Sequence, residues 1–403
     1  MTPWRVVLGG MVALGVAMGI GRFAFTPLLP LMLSDGVVDL GGASWLASAN
    51  YGGYLLGALA CTFQPWLWQR LRLRTGVPAP RLVRIGMAAT AVLTLGMAVH
   101  VPAAWPALRF CAGLASALVF IYTSGWCLTR LGELGVPALG ALIYVGPGAG
   151  IVLSGLVAGA LVAGGASAAA GWLVFGLAAG LLTALVWPVF GRGGPPAAPA
   201  AATAAAAPLA GRAELTLLTL AYGLAGFGYI ITATFLPVIA RAALPDSAWL
   251  DLFWPLFGAG VIAGALLASR VRLTGDLRLA LAGCYVVQAV GIAVSLVSPT
   301  LAGFALGSGL LGLPFTAITF FAMQEVRRIR PVNTAGFMGL LTATYGLGQV
   351  AGPPLAALLV SRSATAGVGF SWSLVIASAS LALGAALYAL LAWRYPLRAA
   401  PVA

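Results

Sequence analysis

Apolar residues run through the chain in a dozen long stretches, broken at short intervals by Arg, Asp, Pro and Gly. A helix of about 20 apolar residues crosses the roughly 30 Å hydrocarbon core of a bilayer. The pattern therefore predicts spans near 5–33, 43–65, 82–100, 106–130, 137–162 and 169–190, and again near 214–240, 248–269, 277–297, 300–324, 333–360 and 369–393. Between the two sets lies 191–213, GRGGPPAAPAAATAAAAPLAGRA, where repeated Pro blocks a continuous helix and little bulky side chain is available to bury. The expected fold is an all-α membrane protein of twelve transmembrane helices, with an N-terminal bundle over 1–190, a linker over 191–213 and a C-terminal bundle over 214–403.

Composition narrows the function classes. The chain is 61% hydrophobic and 7% charged, with a mean hydropathy of +1.04, against roughly 25% charged residues in a soluble domain. A soluble enzyme is excluded. An excess of 21 basic over 8 acidic residues would in a soluble chain point to a polyanion; here every basic residue is Arg, and a coding bias that also enriches Ala, Gly and Pro is the simplest reason. No nucleic-acid partner is expected. The first apolar run is too long for a signal peptide and reads as a retained span. Cys61, Cys111, Cys127 and Cys284 lie inside apolar runs with no CxxC pair, so neither a metal site nor a disulfide framework is expected.

The placing of the charges predicts orientation. Arg70, Arg72, Arg74, Arg81, Arg84, Arg130, Arg192 and Arg212 fall in connections on one side, continued by Arg270, Arg272, Arg278, Arg327, Arg328 and Arg330 and by terminal Arg5, Arg394 and Arg398. The opposite loops hold Arg241 and Arg362, with Asp35 and Asp39. The positive-inside rule then puts both termini and the linker in the cytoplasm, with the chain in the bacterial inner membrane.

The halves repeat. At an offset of 207 residues Gly19, Gly21, Leu29 and Pro30 fall on Gly226, Gly228, Leu236 and Pro237, and Gly53, Gly57, Ala58 and Leu59 fall on Gly260, Gly264, Ala265 and Leu266. Two six-span halves in the same orientation resemble the major facilitator superfamily. More narrowly, GIGRFAFTPLLPLM at 19–32, ANYGGYLLGAL at 49–59, GFGYIITATFLP at 226–237 and TATYGLGQVAGP at 342–353 resemble the YbfB/YjiJ branch of that superfamily. The resemblance implies a secondary transporter with a midplane site between the halves, and it supplies no substrate. Two departures stand out. The connection after Gly57 lacks the acid of the superfamily's usual Gly…Asp…Arg pattern, and Gly146, Pro147, Gly148 and Gly150 match its antiporter motif only loosely.

Arg22 is the most informative single residue. It lies about 25 Å of helix beyond Arg5 at 1.5 Å per residue, too deep to be a loop charge, with Thr26 one turn on. An intramembrane cation is costly and rarely faces lipid. It either holds an anion through its guanidinium fork, is a structural Arg bonded to backbone carbonyls, or snorkels towards the outer headgroups past Pro27 and Pro30. Arg109, near the outer end of the fourth span, fits a structural, gating or proton-path role at least as well as substrate contact. His100 ends the third span as a polar cap.

The acids are informative by where they fall. Asp35, Asp39 and Asp246 lie in outer loops and Asp276 in an inner loop, Asp251, Glu133 and Glu214 lie at helix ends, and none occupies the centre of a span. That weakens export of cationic drugs. Glu325, before VRRIR, is the remaining coupling candidate, with a helix-end salt bridge as its plainer role. Asn50, Tyr54, Tyr122, Tyr144, Tyr229, Thr316, Thr319, Tyr345 and Gln349 supply the polar and aromatic lining of the expected cavity, each with interhelical bonding as the alternative. Tyr229 faces Arg22 through the repeat. Gly307, Gly309 and Gly312 spell GxGxxG inside an apolar run with no strand before it, and close helix packing explains them better than a dinucleotide.

The reading is a transporter of a small organic anion working by alternating access, with proton coupling implied by the resemblance alone. Export of hydrophobic drug-like compounds is the alternative. A membrane enzyme would need clustered acids, His or a nucleophile, and none is seen. No cofactor is expected; the partners are a small-molecule substrate and membrane lipid, and the protein is expected to be a monomer.

Overall fold

A computed structural model describes residues 1–70, 77–191, 211–244, 249–271, 276–329 and 334–396, without side chains for 65–69 and 334–336. The linker core, Asp246 and the charges Arg72, Arg74, Arg192, Arg272, Arg330 and Arg398 lie outside the described residues. Among those described, the chain is all helical and forms twelve rods: α1 (Pro3–Ser34), α2 (Leu40–Arg70), α3 (Ala79–Gly96), α4 (Pro102–Glu133), α5 (Pro137–Ala163), α6 (Ala168–Val186), α7 (Arg212–Ala243), α8 (Leu250–Ala268), α9 (Leu277–Val297), α10 (Leu301–Ile329), α11 (Thr334–Ser361) and α12 (Ala366–Arg394). Nine of these are long and apolar enough to cross a membrane by length and composition. The other three, α2, α3 and α11, dilute their apolar residues with Ser, Asn, Tyr, Thr, Gln or Arg.

Local chemistry sets the helix ends. Ser167, Thr300 and Thr365 accept from backbone N–H groups of the first turns of α6, α10 and α12, satisfying donors that a helix start leaves free. Asp35, just past α1, accepts from Ala168 N at 2.7 Å and so ties the end of α1 to the start of α6. α2 is longer than its apolar run, starting at Leu40 and reaching Arg70. Hydropathy marks the buried part of a helix, and the polar turns that extend it into the interface are invisible to it.

Two elements of the repeat depart from one another. α7 is continuous, whereas α1 opens at its centre: Gly21 N and Phe23 N reach back five residues, to Val16 O at 2.9 Å and Met18 O at 3.0 Å, and 21–24 form a turn before the helix resumes at Phe25. A wide turn of this kind leaves carbonyls without their ordinary partners.

Each set of six rods packs chiefly on itself, with α2 on α4 and α3 on α6 in the first set, and α9 on α12 and α7 on α12 in the second. Between the sets the main contacts are α2 with α11, α5 with α8, and α1 with α7. Small residues let the backbones approach, the usual device where lipid supplies no hydrophobic drive between helices. At the α2/α4 crossing a methyl group on Gly53 would run into the Phe110 carbonyl, and one on Gly113 into the Asn50 carbonyl. Gly53→Ala or Gly113→Ala should therefore cost about 1–3 kcal/mol, read as a lowered melting temperature of the detergent-purified protein. The GxGxxG of α10 is also a packing face: methyl groups on Gly307 and Gly312 would strike the Gly291 and Phe257 carbonyls of α9 and α8.

At the end of the bundle that carries the termini, Arg278 is the hub of a charge cluster. It is 1% exposed, not the loop charge its sequence position suggests. Its guanidinium donates to Asp276 through Nε and Nη2, both at 2.9 Å, to Glu214 at 3.3 Å, and to the Leu391 and Tyr395 carbonyls that end α12. Glu325, fully buried on α10, pairs with Arg328 at 2.5 Å and Arg278 at 3.6 Å. Glu325 is thus a member of a helix-end network. At the opposite end Arg241 pairs with Asp251 at 2.5 Å.

Candidate functional site

The opening in α1 places Arg22 at the centre of the bundle, where it is 3% exposed. Aromatic faces surround its guanidinium carbon: Tyr54 at 4.1 Å from the ring centroid, Tyr51 at 5.2 Å and Phe23 at 5.3 Å. Among the described residues no carboxylate pairs with it, and its Nε and Nη2 are buried without an acceptor. Desolvated ring faces compensate a cation in part, but a buried charge is ordinarily paired as well as hydrogen-bonded.

Arg109 does a different job. It is 2% exposed, and its Nη1 and Nη2 donate to Gly21 O at 3.2 Å and Arg22 O at 3.1 Å, carbonyls of the α1 turn. Asn50 Nδ2 donates to Arg109 O at 2.9 Å and to Gly21 O at 3.4 Å, and Ser116 Oγ donates to Ala17 O at 2.7 Å. Arg109 and Asn50 therefore brace the backbone that carries Arg22 through Nη1, Nη2 and Nδ2, while Arg109 Nε and Asn50 Oδ1 are buried without a partner. Ser116→Ala, which removes the smallest member of the brace, should cost about 1 kcal/mol, measurable as a small drop in melting temperature.

Thr26 is spent on closure between the halves. Its Oγ1 donates to Ala233 O at 3.0 Å, the residue 207 positions on and so its own counterpart in the repeat. Tyr51 OH bonds Thr234 Oγ1 at 2.9 Å, and Ser48 Oγ donates to Val350 O at 2.8 Å. Among the described residues these three are the side-chain hydrogen bonds that join the two sets of rods. Chain direction puts all three between Arg22 and the end away from the termini. Toward the termini, Tyr54, Tyr122, Tyr144, Thr316, Thr319 and Tyr345 are only half-buried. Tyr122 donates to Gln64, and the Tyr144 ring lies 6.2 Å from Phe120.

The wall contributed by the second half is aromatic. Tyr222, Tyr345 and Tyr229 form a ladder with ring centroids 4.9 Å and 5.8 Å apart, and Tyr229 meets the edge of Phe315 at 5.1 Å. Phe315 in turn meets Phe23, the neighbour of Arg22, at 5.8 Å. Tyr222 OH donates to Thr319 at 3.3 Å, and Gln349 Nε2 donates to Tyr229 OH. Gln349 Oε1 and Thr316 Oγ1 are buried without a partner.

The expected lining residues thus fall into three groups. Arg22, Tyr54, Tyr229, Tyr345, Gln349, Thr316 and Thr319 gather around the centre, Asn50, Arg109 and Thr26 are tied up in backbone bonds, and Tyr122, Tyr144 and Glu325 stand toward the termini, Tyr122 with Gln64, Tyr144 with Phe120 and Glu325 about 13 Å along α10 from Thr316 at 1.5 Å per residue. Phe23, Phe315 and Ser48 belong to the arrangement and were not singled out in the sequence. Two apolar residues and one serine carry no chemical signal there; only the adjacency of Phe23 to Arg22 offered one.

Residues 14–389 match the family described as uncharacterised MFS-type transporter YbfB, and the chain belongs to that family of major facilitator transporters. Solved structures share its fold. A crystal structure of a point mutant of the nucleoside transporter NupG aligns with a TM-score of 0.70 at 16% identity, covering 96% of this chain and 99% of that one. The NupG crystal structure itself gives 0.63 at 16% identity over 98% and 100%. The crystal structure of the human organic anion transporter MFSD10 (TETRAN) gives 0.61 at 18% identity over 96% and 100%. Among curated proteins no match is found.

Proposed function

We propose that this major facilitator transporter carries a small organic anion by alternating access, with Arg22 as the anion-binding group. One observation supports the substrate class above all others: a guanidinium buried at the centre of the bundle with two unpartnered N–H groups and no carboxylate paired to it among the described residues. The π faces of Tyr54, Tyr51 and Phe23 stand where an anion would, and a carboxylate would replace partial compensation with a full ion pair. At these identities NupG and MFSD10 speak for the fold, so the organic anion named for MFSD10 is supporting context only.

In this reading the protein lies in the bacterial inner membrane with its termini in the cytoplasm, and works as a monomer. The three cross-half bonds then close the outer side, and the half-buried aromatic residues line the inner approach to Arg22. Thr26→Val should weaken that outer closure by about 0.6 kcal/mol, shifting the population outward about threefold; labelling of a cysteine placed beside Arg22 by an impermeant outside reagent would read the shift. Coupling to protons belongs to the same proposal, since no described carboxylate sits at mid-span and a proton can travel with the anion.

The test is the melting temperature of the purified protein against matched organic anions, cations and neutral hydrophobes, because a ligand of the native state stabilises by mass action. Stabilisation confined to anions, followed by their pH-gradient-dependent uptake into proteoliposomes, is expected. Stabilisation by neutral hydrophobes and not by anions would overturn the reading in favour of a drug exporter.

A further inference from the structure

Arg22 accounts for one end of a substrate, and the wall facing it carries information about the other. The ladder of Tyr222, Tyr345 and Tyr229 presents π faces and edges. Two buried polar atoms on the helices that carry this wall have no partner: Gln349 Oε1, whose amide meets the Tyr229 hydroxyl, and Thr316 Oγ1, next in sequence to Phe315. The amide Nε2 donates to the Tyr229 hydroxyl, and its oxygen is left as an acceptor facing no donor. Gln349 is 1% exposed, so water does not satisfy it from bulk. The cationic and aromatic parts are contiguous, because Phe23 beside Arg22 contacts Phe315, which contacts Tyr229. An aliphatic anion would satisfy Arg22 and leave the ladder and the amide unmet.

Building on the anion reading of Arg22, we infer that the substrate is an aromatic or heteroaromatic acid with a donor on its ring: the acidic group meets Arg22, the planar ring meets the Tyr229 and Tyr345 faces, and a ring O–H or N–H meets Gln349 Oε1. Such a molecule touches both halves at once. The acidic group is held by α1 and the ring by α7, α10 and α11, so binding draws together the two bodies that move in the transport cycle.

Four probes of similar size separate the terms: benzoate, para-hydroxybenzoate, cyclohexanecarboxylate and hexanoate, each titrated into the full-length purified protein with melting temperature and equilibrium binding as readouts. Benzoate is expected to half-saturate at about tenfold lower concentration than cyclohexanecarboxylate, from ring–ring contact, and para-hydroxybenzoate lower again. Gln349→Leu should erase the advantage of the hydroxyl and leave benzoate unchanged; Thr316→Val gives an independent check if the first variant folds poorly. Tyr345→Leu should erase the advantage of the ring. Equal binding of benzoate, cyclohexanecarboxylate and hexanoate would overturn this inference and leave the anion reading intact. Absence of binding by all four, with cations or neutral compounds bound instead, would overturn both.

Discussion

Arg22→Gln is expected to weaken anion binding by about 10- to 100-fold, the equivalent of losing about 1.5–3 kcal/mol of charge-assisted hydrogen bonding, with a matching loss of uptake in proteoliposomes. The unliganded protein should melt at the same temperature or higher. In the empty site the guanidinium makes no ion pair among the described residues and leaves Nε and Nη2 without acceptors, so it contributes desolvation cost more than bonds. This opposite sign on stability and function separates a binding arginine from a structural one. Arg22→Lys keeps the charge and loses the planar fork, and should bind with intermediate affinity. A variant that melts far below wild type yet still binds anions would assign Arg22 to structure.

The largest loss of stability is expected at the other end of the bundle. Arg278→Met should cost about 3–5 kcal/mol, because it takes the ion-pair partner from Glu214, leaves Asp276 and Glu325 with Arg328 alone, and strips the Leu391 and Tyr395 carbonyls of their donor. The same cluster sets a pH dependence. Burial works against the charge on Asp276, but the Arg278 side chain and backbone N–H, with Arg328 nearby, hold its carboxyl below the ordinary value. A depressed carboxylate stabilises the folded state above its unfolded pKa, and that stabilisation is lost as pH falls through the folded value. Wild type should therefore lose melting temperature on acidification below about pH 4, and Asp276→Asn should start lower and respond less. A melting curve of Asp276→Asn that parallels wild type from pH 6 to pH 3 would remove Asp276 from this role.

Much of this was legible in the chain because the bilayer imposes it. Length and hydropathy located the helical rods, nine of them long and apolar enough to cross a membrane among the described residues, and depth along α1 marked Arg22 as a cation within the first of them. What the sequence hid were partnerships made in three dimensions. Arg278 sits two residues from Asp276, but its other carboxylates, Glu214 and Glu325, come from α7 and α10, so charge counting alone placed it in a loop. Thr26 has the polarity of a lining residue and the position of a counterpart to Ala233, and only the meeting of α1 with α7 shows that its hydroxyl is committed to closure. The opening in α1 has no proline at its start; it is held by Arg109, Asn50 and Ser116 from α4 and α2, which no local pattern reports.

That opening has a consequence for how the first span tolerates change. Its wide turn accommodates one more residue than a regular turn would, and a helix advances about 100° per residue. Removal of a single residue within 15–20 would let the wide turn close to a regular one and keep the faces before and after it in register, whereas a further inserted residue would swing everything after it by about 100°. With such an insertion Arg22 would leave its contact with Tyr54, and Thr26 would miss Ala233. The stretch is therefore expected to accept the loss of one residue more readily than the gain of one, and to refuse a side chain at Gly19, where a methyl group would run into the Gly150 backbone.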